Sequence, residues 1–306
     1  MDQNAVAVVT GANTGLGYET ARGLAGEGFT VVLACRDESK AKAAMDKIKA
    51  RNPRAKLDFI ALDLIDRQSI KDFADAFAKR YRYLNLLVNN AGVMGPPYTV
   101  TRNGLELQFD ANHIGHFYLT SLLIDKLDQE YETRIINVSS LAGKREWADI
   151  YFDNLNFDGN YEEGFKLFGL TGMVAYSQSK LANILFTMEL KDRLAKAGRN
   201  IKAVVVHPGI SHTDLGRYVP FPMNLLAPIV APIMGMSKPS KGAEPTLYGA
   251  LHPDVNAGDF IGPTGKEERG GPPGLVPLPP KASDKALCEK LWTLSEEKLG
   301  ISFQID

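Results

Sequence analysis

Short apolar runs alternate with amphipathic segments through the first two thirds of the chain. The runs are rich in β-branched residues, as in Thr30–Cys35, whereas the segments between them repeat their apolar positions at helical spacing, as at Leu16, Thr20 and Leu24. Strands buried on both faces that alternate with helices are typical of a parallel sheet covered on each side. We therefore predict a doubly wound α/β fold with a parallel sheet of about seven strands, helices on both faces, and a ligand site at the carboxyl ends of the strands.

The same pattern gives the bounds of the elements. The predicted strands are Ala5–Thr10, Thr30–Cys35, Leu57–Leu62, Leu84–Asn89, Arg134–Val138 and Ile201–Val206. The predicted helices are Gly15–Glu27, Asp37–Arg51, Asp66–Arg80, Gly104–Asp128 and Ala175–Ala197. Further on, the chain is less regular. We predict a helix at Lys241–Leu251, an edge strand at Gly258–Ile261, a loop at Gly270–Pro280 and a final helix at Asp284–Leu299. No repeat or linker interrupts the sequence, which indicates one domain over residues 1–306.

Charge and cysteine content disfavour several classes of protein. The 35 basic and 36 acidic residues give a net charge of −1, so no global field attracts nucleic acid, and we expect no nucleic-acid partner. The two cysteines, Cys35 and Cys288, are too few for a disulfide framework and lack the CxxC spacing of a zinc cluster. Together with an N-terminus that lacks the basic region of a signal peptide, they predict a reducing, cytoplasmic location.

The longest uncharged stretch of the chain is Tyr218–Ser237, which is long enough to span a bilayer. It contains Pro220, Pro222, Pro228 and Pro232, and each proline removes a helical hydrogen bond that lipid cannot replace. We therefore predict an apolar flap at this place and no transmembrane segment.

A glycine-rich turn follows the first predicted strand directly and opens the first predicted helix. Glycines at 11, 15 and 17 allow close backbone approach, and the N–H groups at a helix N-terminus bind a pyrophosphate. The spacing GxxxGxG differs from the common GxGxxG, and a turn that needs glycine only for its geometry is the alternative.

The residue after the second strand indicates which dinucleotide is bound. An acid there accepts from a ribose 2′-hydroxyl, whereas a basic residue holds a 2′-phosphate. Arg36 occupies the position and predicts NADP(H) in preference to NAD(H), although Asp37 tempers the field and a solvated loop charge is the alternative. Asp63, just past the third strand, is placed to accept from the adenine amino group or to cap a turn.

Tyr176 and Lys180 are four residues apart near the start of a predicted helix, so they share one face. A phenol has a pKa of about 10, and a nearby ammonium lowers that pKa. Tyr176 would then exchange a proton with a carbonyl or alcohol oxygen as a general acid or base. Taken alone, the spacing equally fits a partly exposed tyrosine and lysine on a helix surface.

Several motifs in one order carry a resemblance to a known family. They are TGANTGLG at Thr10–Gly17, NNAG at Asn89–Gly92, Asn112, NVSS at Asn137–Ser140, YSQSK at Tyr176–Lys180 and HPG at His207–Gly209. The chain resembles the short-chain dehydrogenase/reductase (SDR) family over about residues 5–215. Within that family it resembles the retinol-dehydrogenase-like branch through ACRD at Ala34–Asp37, NHIGHFYLT at Asn112–Thr120 and SKLANILFT at Ser179–Thr187. The resemblance implies a Rossmann fold and hydride transfer between a nicotinamide and an aldehyde or ketone, or the matching alcohol.

The resemblance also implies a role for each catalytic position. Tyr176 would be the general acid/base, and Lys180 would lower its pKa and bind the nicotinamide ribose. Ser140, next to Ser139, would bond the substrate carbonyl. Asn112 would distort its helix and hold a relay water, and its alternative is an asparagine that bonds a neighbouring carbonyl within the helix.

The cofactor site follows by the same comparison. The implied binding residues are Gly11, Asn13, Thr14, Gly15, Leu16, Gly17, Arg36, Asp63, Leu64, Asn90, Ala91, Gly92, Tyr176, Lys180, Pro208, Gly209, Ile210 and Thr213. His113, His116 and His207 lie near these motifs, but the family pattern needs no metal, and we expect none.

Two segments are expected to form the substrate pocket. An insertion over residues 143–175 separates Ser140 from Tyr176 and is either an apolar wall over the substrate or a surface excursion. A flap over residues 214–240 carries Phe221, Met223, Leu225, Leu226, Ile229 and Met234. These apolar side chains predict that the flap binds a lipophilic substrate. A peripheral membrane contact and a subunit interface are the alternatives, so the sequence does not determine the oligomeric state. A cofactor-binding scaffold or lipid-surface protein without turnover is the alternative function.

Overall fold

The structure is a computed structural model that describes residues 5–127, 132–158, 171–210 and 237–305. Its strands are β1 Val6–Thr10, β2 Thr30–Cys35, β3 Lys56–Ala61, β4 Leu86–Asn89, β5 Thr133–Val138, β6 Ile201–Val206, β7 Phe260–Pro263 and β8 Pro273–Leu275. They form one sheet in the order β3-β2-β1-β4-β5-β6-β7-β8. All neighbours pair in parallel except β7 and β8, which are antiparallel. The predicted doubly wound, mainly parallel sheet is confirmed.

Helices cover both faces of this sheet. Their bounds are α1 Gly15–Gly26, α2 Glu38–Arg51, α3 Arg67–Arg80, α4 Leu107–Phe109, α5 Gly115–Leu123, α6 Thr171–Lys196, α7 Pro239–Gly242, α8 Glu244–Leu251 and α9 Lys285–Leu299. Asp37, Asp66 and Asp284, predicted as first helical residues, are N-caps whose carboxylates accept backbone N–H groups of the first turn. Within the described ranges, no helix has the length and apolar character needed to cross a membrane.

Alternate residues of one strand enter two separate cores. Val8 of β1 packs in the core that contains Phe73 of α3 and Phe117 of α5. Val9, the next residue, points to the opposite face and packs in the core that contains Leu24 of α1. All five side chains are fully buried, which explains why the strands are apolar throughout rather than alternating with polar residues.

The sheet has one strand more than the predicted seven. β8 lies inside Gly270–Pro280, which was predicted as loop because of its prolines and glycines. Pro273 fits an edge strand because an edge residue needs no N–H for the ladder. The strand predicted at Gly258–Ile261 is present as β7 Phe260–Pro263, but its predicted edge position was wrong, because β7 has a neighbour on each side.

The helix predicted over Gly104–Asp128 is not continuous. It begins as α4 at Leu107, where the Glu106 carboxylate accepts from the backbone N–H groups of Gln108 and Phe109 at 2.8 and 2.9 Å. A π-helical turn at Asp110–Ile114 follows, then α5, and a 3-10 turn at Ile124–Lys126 closes the segment. Periodicity does not reveal a single inserted residue of this kind, since π-helical turns interrupt the pattern only locally.

Candidate active site

A cleft follows the carboxyl ends of the parallel strands around the point where the strand order reverses, between β1 and β4. It extends from Arg36, after β2, past the glycine turn to Tyr176 and Lys180 on α6. The predicted cofactor residues that line it are Gly11, Asn13, Thr14, Gly15, Leu16, Gly17, Arg36, Asp63, Leu64, Asn90, Ala91, Gly92, Tyr176, Lys180 and Pro208. Further lining residues, outside the predicted cofactor set, are Ala34, Cys35, Asp37, Lys40, Leu62, Ile65, Val93, Leu107, Ala111, Val138 and Ser139.

The glycine turn has a backbone that side chains would obstruct. Gly11 and Gly15 have φ angles of 65° and 57°, in the left-handed region that favours glycine. A Cβ on Gly17 would lie 2.4 Å from the Gly11 carbonyl oxygen and 2.5 Å from Asn90 Nδ2. The start of α1 therefore lies directly against the end of β1 and faces the cleft, which is the arrangement that a pyrophosphate fits.

Thr10, the last residue of β1, fixes the neighbouring strand end. Its Oγ1 accepts from the backbone N–H groups of Asn90 and Ala91, both at 2.9 Å, and its carbonyl oxygen accepts from Asn90 Nδ2 at 2.8 Å. Thr10 was not predicted as a site residue, although a hydroxyl directly before a glycine turn was visible in the sequence.

His116 connects this strand end to the distorted helix. Its Nδ1 lies 3.0 Å from the Asn112 carbonyl oxygen, which can only accept, so Nδ1 carries the proton. Its Nε2 then accepts from Thr10 Oγ1 at 2.9 Å. Burial lowers the pKa of His116 to about 4, so the ring is neutral at physiological pH.

The end of β2 presents two cations to the cleft. Arg36 is exposed there, and Lys40, one helical turn further on, also lines the cleft. Asp37 caps α2: its Oδ1 accepts the Lys40 N–H at 3.0 Å, and its Oδ2 lies 3.4 Å from Lys40 Nζ. The hydrogen bond from the Lys40 backbone N–H holds the pKa of Asp37 below its usual value. Lys40 was not predicted as a site residue; the signal in the sequence was a second cation in the first turn of the helix that follows Arg36.

Asp63 and Leu64 line the cleft beyond β3. Asp63 Oδ1 accepts the Ile65 N–H at 3.2 Å, so the carboxylate caps a turn, which was one of its two predicted roles. Leu64 lies against α5, where a Cβ on Gly115 would come within 2.4 Å of its carbonyl oxygen. This close contact fixes the wall of the cleft against the helix that follows Asn112.

Asn112 lies in the middle of the π-helical turn and is fully buried. Its Oδ1 accepts the Val93 N–H at 2.8 Å, and its Nδ2 donates to the Val93 carbonyl at 2.9 Å and to Ser179 Oγ at 3.0 Å. The side chain therefore bonds residues outside its own helix, unlike the alternative weighed from sequence. Gly92 leaves room for it, since a Cβ there would lie 3.2 Å from Asn112 Oδ1 and 3.5 Å from Lys180 Nζ.

The two adjacent serines after β5 point to different partners. Ser139 is buried, and its hydroxyl donates to the Lys180 carbonyl oxygen at 2.7 Å. Ser140 is half-buried and accepts the Ala142 N–H at 3.2 Å, and its side chain acts on the Tyr176 hydroxyl to lower the pKa of that phenol. The geometry therefore favours Ser140 over Ser139 as the serine that reaches a reacting oxygen beside Tyr176.

Tyr176 and Lys180 are 4% and 3% exposed, so the alternative of a partly exposed helix surface is wrong. Lys180 Nζ donates to the Val138 carbonyl at 3.0 Å and lies 5.7 Å from the centre of the Tyr176 ring. Burial raises the pKa of Tyr176 to about 12, against a smaller opposing effect of the Ser140 hydrogen bond, and lowers the pKa of Lys180 to about 8. The pKa of Tyr176 is thus raised rather than lowered as expected from its spacing to Lys180, and burial is the main cause.

The HPG turn follows β6 at the same end of the sheet. Gly209 has a φ angle of 67°, and its N–H donates to His207 Nδ1 at 3.2 Å. The Ile210 N–H donates to the Arg269 carbonyl at 3.0 Å. Gly209 and Ile210 do not line the cleft as Pro208 does, and Thr213 lies outside the described residues.

The described part of the insertion packs on α6. Gln178 Oε1 accepts the Tyr151 N–H at 2.9 Å, and Gln178 Nε2 donates to the Leu155 carbonyl at 3.1 Å. The catalytic motif YSQSK thus also anchors the loop that leads away from Ser140. Residues 159–170 of the insertion and 214–236 of the flap lie outside the described residues, so the expected pocket from these segments stays a prediction.

The three histidines near the motifs have separate partners. His113 Nε2 lies 2.9 Å from Ser295 Oγ, His116 Nε2 lies 2.9 Å from Thr10 Oγ1, and His207 Nε2 lies 2.9 Å from Glu268 Oε2. In the ranges that the structure describes, no three His, Cys, Asp or Glu side chains are grouped as metal ligands.

A doubly wound sheet with a glycine turn at its topological switch point and a buried tyrosine–lysine pair beside the same cleft is the architecture of a dinucleotide-binding oxidoreductase. Residues 5–151 match the family model described as short chain dehydrogenase. Retinol dehydrogenase 14 of Mus musculus is 37% identical, over 96% of this chain and 85% of that protein. Retinol dehydrogenase 11 of Mus musculus is 43% identical, over 80% of this chain and 73% of that protein.

Solved structures agree with these sequence matches. An uncharacterized protein from Mycobacterium Paratuberculosis is 35% identical, with a TM-score of 0.77 over 99% of this chain and 98% of that one. Salutaridine reductase from Papaver somniferum, 24% identical, shares the fold with a TM-score of 0.65 over 84% of this chain and 99% of that one. The chain belongs to the short-chain dehydrogenase/reductase family, whose members bind a nicotinamide cofactor and transfer hydride between it and an alcohol or carbonyl. Within the family it is similar to the retinol-dehydrogenase-like branch.

Proposed function

We propose that the protein is an NADP(H)-dependent reductase of lipophilic aldehydes or ketones, reversible toward the matching alcohols, with Tyr176 as the general acid/base. The observation that carries the proposal is that Tyr176 and Lys180 line one end of the cleft, while the Ser140 side chain acts on the Tyr176 hydroxyl from the end of β5. Asn112 packs behind Gly92, next to Lys180, and so supports the same end of the cleft. A binding scaffold has no need of this set.

The protonation states suit reduction. When bound, the nicotinamide supplies the hydride to the carbonyl carbon. Tyr176, with a pKa of about 12, carries its proton at neutral pH and donates it to the carbonyl oxygen, while Ser140 donates a hydrogen bond to that oxygen. Lys180, with a pKa of about 8, is mainly charged at neutral pH, and its Nζ donors beyond the Val138 bond are available for the ribose hydroxyls and for lowering the tyrosine pKa.

The activity is tested by NADPH oxidation with a panel of lipophilic aldehydes and ketones. Tyr176→Phe is expected to lower kcat by at least about 100-fold, because general acid catalysis contributes about 10²–10⁴-fold. Tyr83→Phe is the matched control, since Tyr83 is 39% exposed and outside the cleft. Turnover that survives in Tyr176→Phe would exclude this residue as the acid. NADPH binding without turnover on any substrate would favour the scaffold.

The preference for NADP(H) is supported by the two cations after β2. Arg36 and Lys40 both line the cleft, and the Asp37 carboxylate is engaged as the cap of α2. A charge-assisted hydrogen bond contributes about 1.5–3 kcal/mol. Replacing Arg36 and Lys40 together by alanine should therefore weaken NADPH binding by about tenfold or more.

NADH binding is the internal comparison for that double variant, since NADH lacks the 2′-phosphate, and its affinity should change little. Lys42→Ala is the matched control on the same helix: Lys42 pairs with Glu38 at 2.7 Å and does not line the cleft. Equal losses for NADPH and NADH in the double variant would contradict the proposed preference.

A lipophilic substrate is supported by the apolar flap sequence and by the relatives that are named retinol dehydrogenases. Each buried methylene contributes about 0.8 kcal/mol. In a series of straight-chain aldehydes, kcat/KM should therefore rise about two- to fourfold per methylene until the pocket is filled. A flat series would exclude apolar recognition of the substrate.

We also propose a cytoplasmic location. It is supported by the two cysteines, which are both buried and unpaired as disulfides. Cell fractionation with a marker for each compartment tests it, and recovery in the membrane fraction would instead support peripheral contact through the flap.

A further inference from the structure

Three charged or polar side chains from distant parts of the chain meet beside the HPG turn. Lys144 Nζ lies 2.7 and 2.6 Å from the two carboxylate oxygens of Glu268, and His207 Nε2 lies 2.9 Å from Glu268 Oε2. The Lys144 and Glu268 side chains are 15% and 21% exposed, and His207 is fully buried. Lys144 also lies 5.0 Å from the centre of the Phe260 ring. We call these three residues the ionic cluster.

The imidazole of His207 is held in one tautomer. The Gly209 N–H donates to Nδ1 at 3.2 Å, so Nε2 carries the proton and donates to Glu268. Burial lowers the pKa of His207 to about 4, although Glu268 opposes the shift, and the ring is neutral at physiological pH. The side chain therefore links the Glu268 carboxylate to the backbone of the HPG turn through two directed hydrogen bonds.

The Lys144 end of the cluster is connected to the catalytic serine. Ser140 caps a 3-10 turn over Leu141–Lys144, so the two residues are the ends of one short rigid element. Gly143 presses this turn against α6, since a Cβ there would lie 2.7 Å from the Lys180 carbonyl carbon. A displacement of Lys144 would therefore move the turn that presents the Ser140 hydroxyl.

The Glu268 end of the cluster braces the HPG turn from the other side. The Ile210 N–H donates to the Arg269 carbonyl at 3.0 Å, and a Cβ on Gly209 would lie 2.6 Å from that carbonyl oxygen. Glu267 and Glu268 have φ angles of 53° and 56°, a left-handed backbone that such residues keep only where surrounding contacts determine it. The loop between β7 and β8 is thus shaped to bring Glu268 to His207.

We propose that Glu268 is a positioning residue that holds the Ser140 turn and the HPG turn at a fixed separation, through Lys144 on one side and His207 on the other. The inference rests on the proposed function, in which Ser140 polarises the carbonyl, and on the position of Pro208, the residue of the HPG turn that lines the cleft. With the ionic cluster intact, both groups are oriented before substrate binds, and such preorganisation is where much of an enzyme's acceleration originates.

Glu268→Gln tests the proposal, because it keeps the size of the side chain but leaves one oxygen to accept from two donors. We expect kcat to fall about 10- to 100-fold, since misplacement of reacting groups by about 1 Å costs up to about 100-fold. NADPH should bind more weakly, whereas 2′,5′-ADP, which occupies only the adenosine end, should bind within about twofold of the wild-type affinity. A merely structural defect would weaken both probes together.

Glu267→Gln is the matched control. Glu267 is the next residue in the same loop and shares its left-handed backbone, but its side chain is 58% exposed and pairs with Arg269 at the surface. It should leave kcat and both affinities unchanged. A Glu267 variant as impaired as Glu268→Gln would show that the loop matters without the ionic cluster, and would overturn the proposal.

Lys144 supplies a second, independent route if Glu268→Gln fails to fold. Lys144→Met should reproduce the loss in kcat, and Lys144→Arg, which keeps the ion pair, should restore most of it. In the combined Lys144→Met, Glu268→Gln variant the effects should be less than additive, because the two residues act as a unit. Fully additive effects, or an unchanged kcat in Lys144→Met, would overturn the proposal.

Failure of the proposed function is separable from failure of this inference. If the wild-type protein binds NADPH and 2′,5′-ADP but reduces no carbonyl, the function is wrong, and the ratio of the two affinities in Glu268→Gln still decides the role of the ionic cluster. If the wild type binds neither probe, both proposals are overturned together.

Discussion

Gly17 lies against the backbone of Gly11 in the cofactor cleft with no room for a side chain, which makes Gly17→Ala a quantitative test of the site. A Cβ there would lie 2.4 Å from the Gly11 carbonyl oxygen, about 1 Å inside an ordinary carbon–oxygen contact. Both contacting elements are backbone, so α1 must move away from the end of β1 by about that distance. Overpacking of this kind costs about 1–3 kcal/mol of stability, and a displacement of about 1 Å at a binding turn costs up to about 100-fold in function.

Gly26→Ala is the control on the same helix, because a Cβ at Gly26 would meet nothing within 4 Å. That variant should be neutral or slightly more stable, by up to about 1 kcal/mol, since alanine favours helix over glycine. Fluorescence titration with NADPH and thermal unfolding are measured for both variants. If Gly17→Ala binds NADPH like Gly26→Ala and melts at the same temperature, the packing of α1 on the glycine turn is not what forms the site.

Two further predictions concern acid stability and the serine pair. His113, His116 and His207 are buried, and burial lowers their pKa values to about 3, 4 and 4. In the unfolded chain the same histidines take up protons near pH 6.5. The free energy of unfolding should therefore decrease as the pH falls from about 6.5 to 4. Near pH 5 each histidine contributes about 1.4 kcal/mol per pH unit, and urea unfolding that shows less than one proton of slope would contradict the burial argument. Ser140→Ala should lower kcat by about 10²–10³-fold with unchanged NADPH affinity. Ser139→Ala loses a hydrogen bond to the Lys180 carbonyl and should mainly lower the melting temperature. If Ser139→Ala lowers kcat and Ser140→Ala lowers only the melting temperature, Ser140 is not the serine that bonds the substrate.

The pKa of Tyr176 shows how the free site differs from the expectation based on spacing. Lys180 is placed to favour the phenolate, yet burial of the phenol is the larger effect and raises its pKa to about 12. The same burial brings the pKa of Lys180 down to about 8. The i, i+4 spacing therefore indicates the pair correctly but not the sign of its shift, because desolvation depends on everything packed around the helix.

Local pattern determined the elements and the cofactor turn of this protein. Apolar runs and helical spacing predict strands and helices because each element buries its own faces, and the predicted β2 and β6 agree with the observed Thr30–Cys35 and Ile201–Val206. The glycine turn and the Tyr176–Lys180 pair are also local, since neighbours in the chain supply their geometry. The doubly wound topology followed from the alternation of the elements.

Only the tertiary structure decided what lies between distant segments. It separated Ser140 from Ser139, added β8 to the sheet, and joined Lys144 to Glu268 across 124 residues. It also showed that the distortion expected at Asn112 is a π-helical turn, with the Asn112 side chain bonded to the Val93 backbone. Hydrophobic periodicity carries no information about such pairs, because polar partners from remote strands and loops are brought together by the order of the sheet and the packing of its cores.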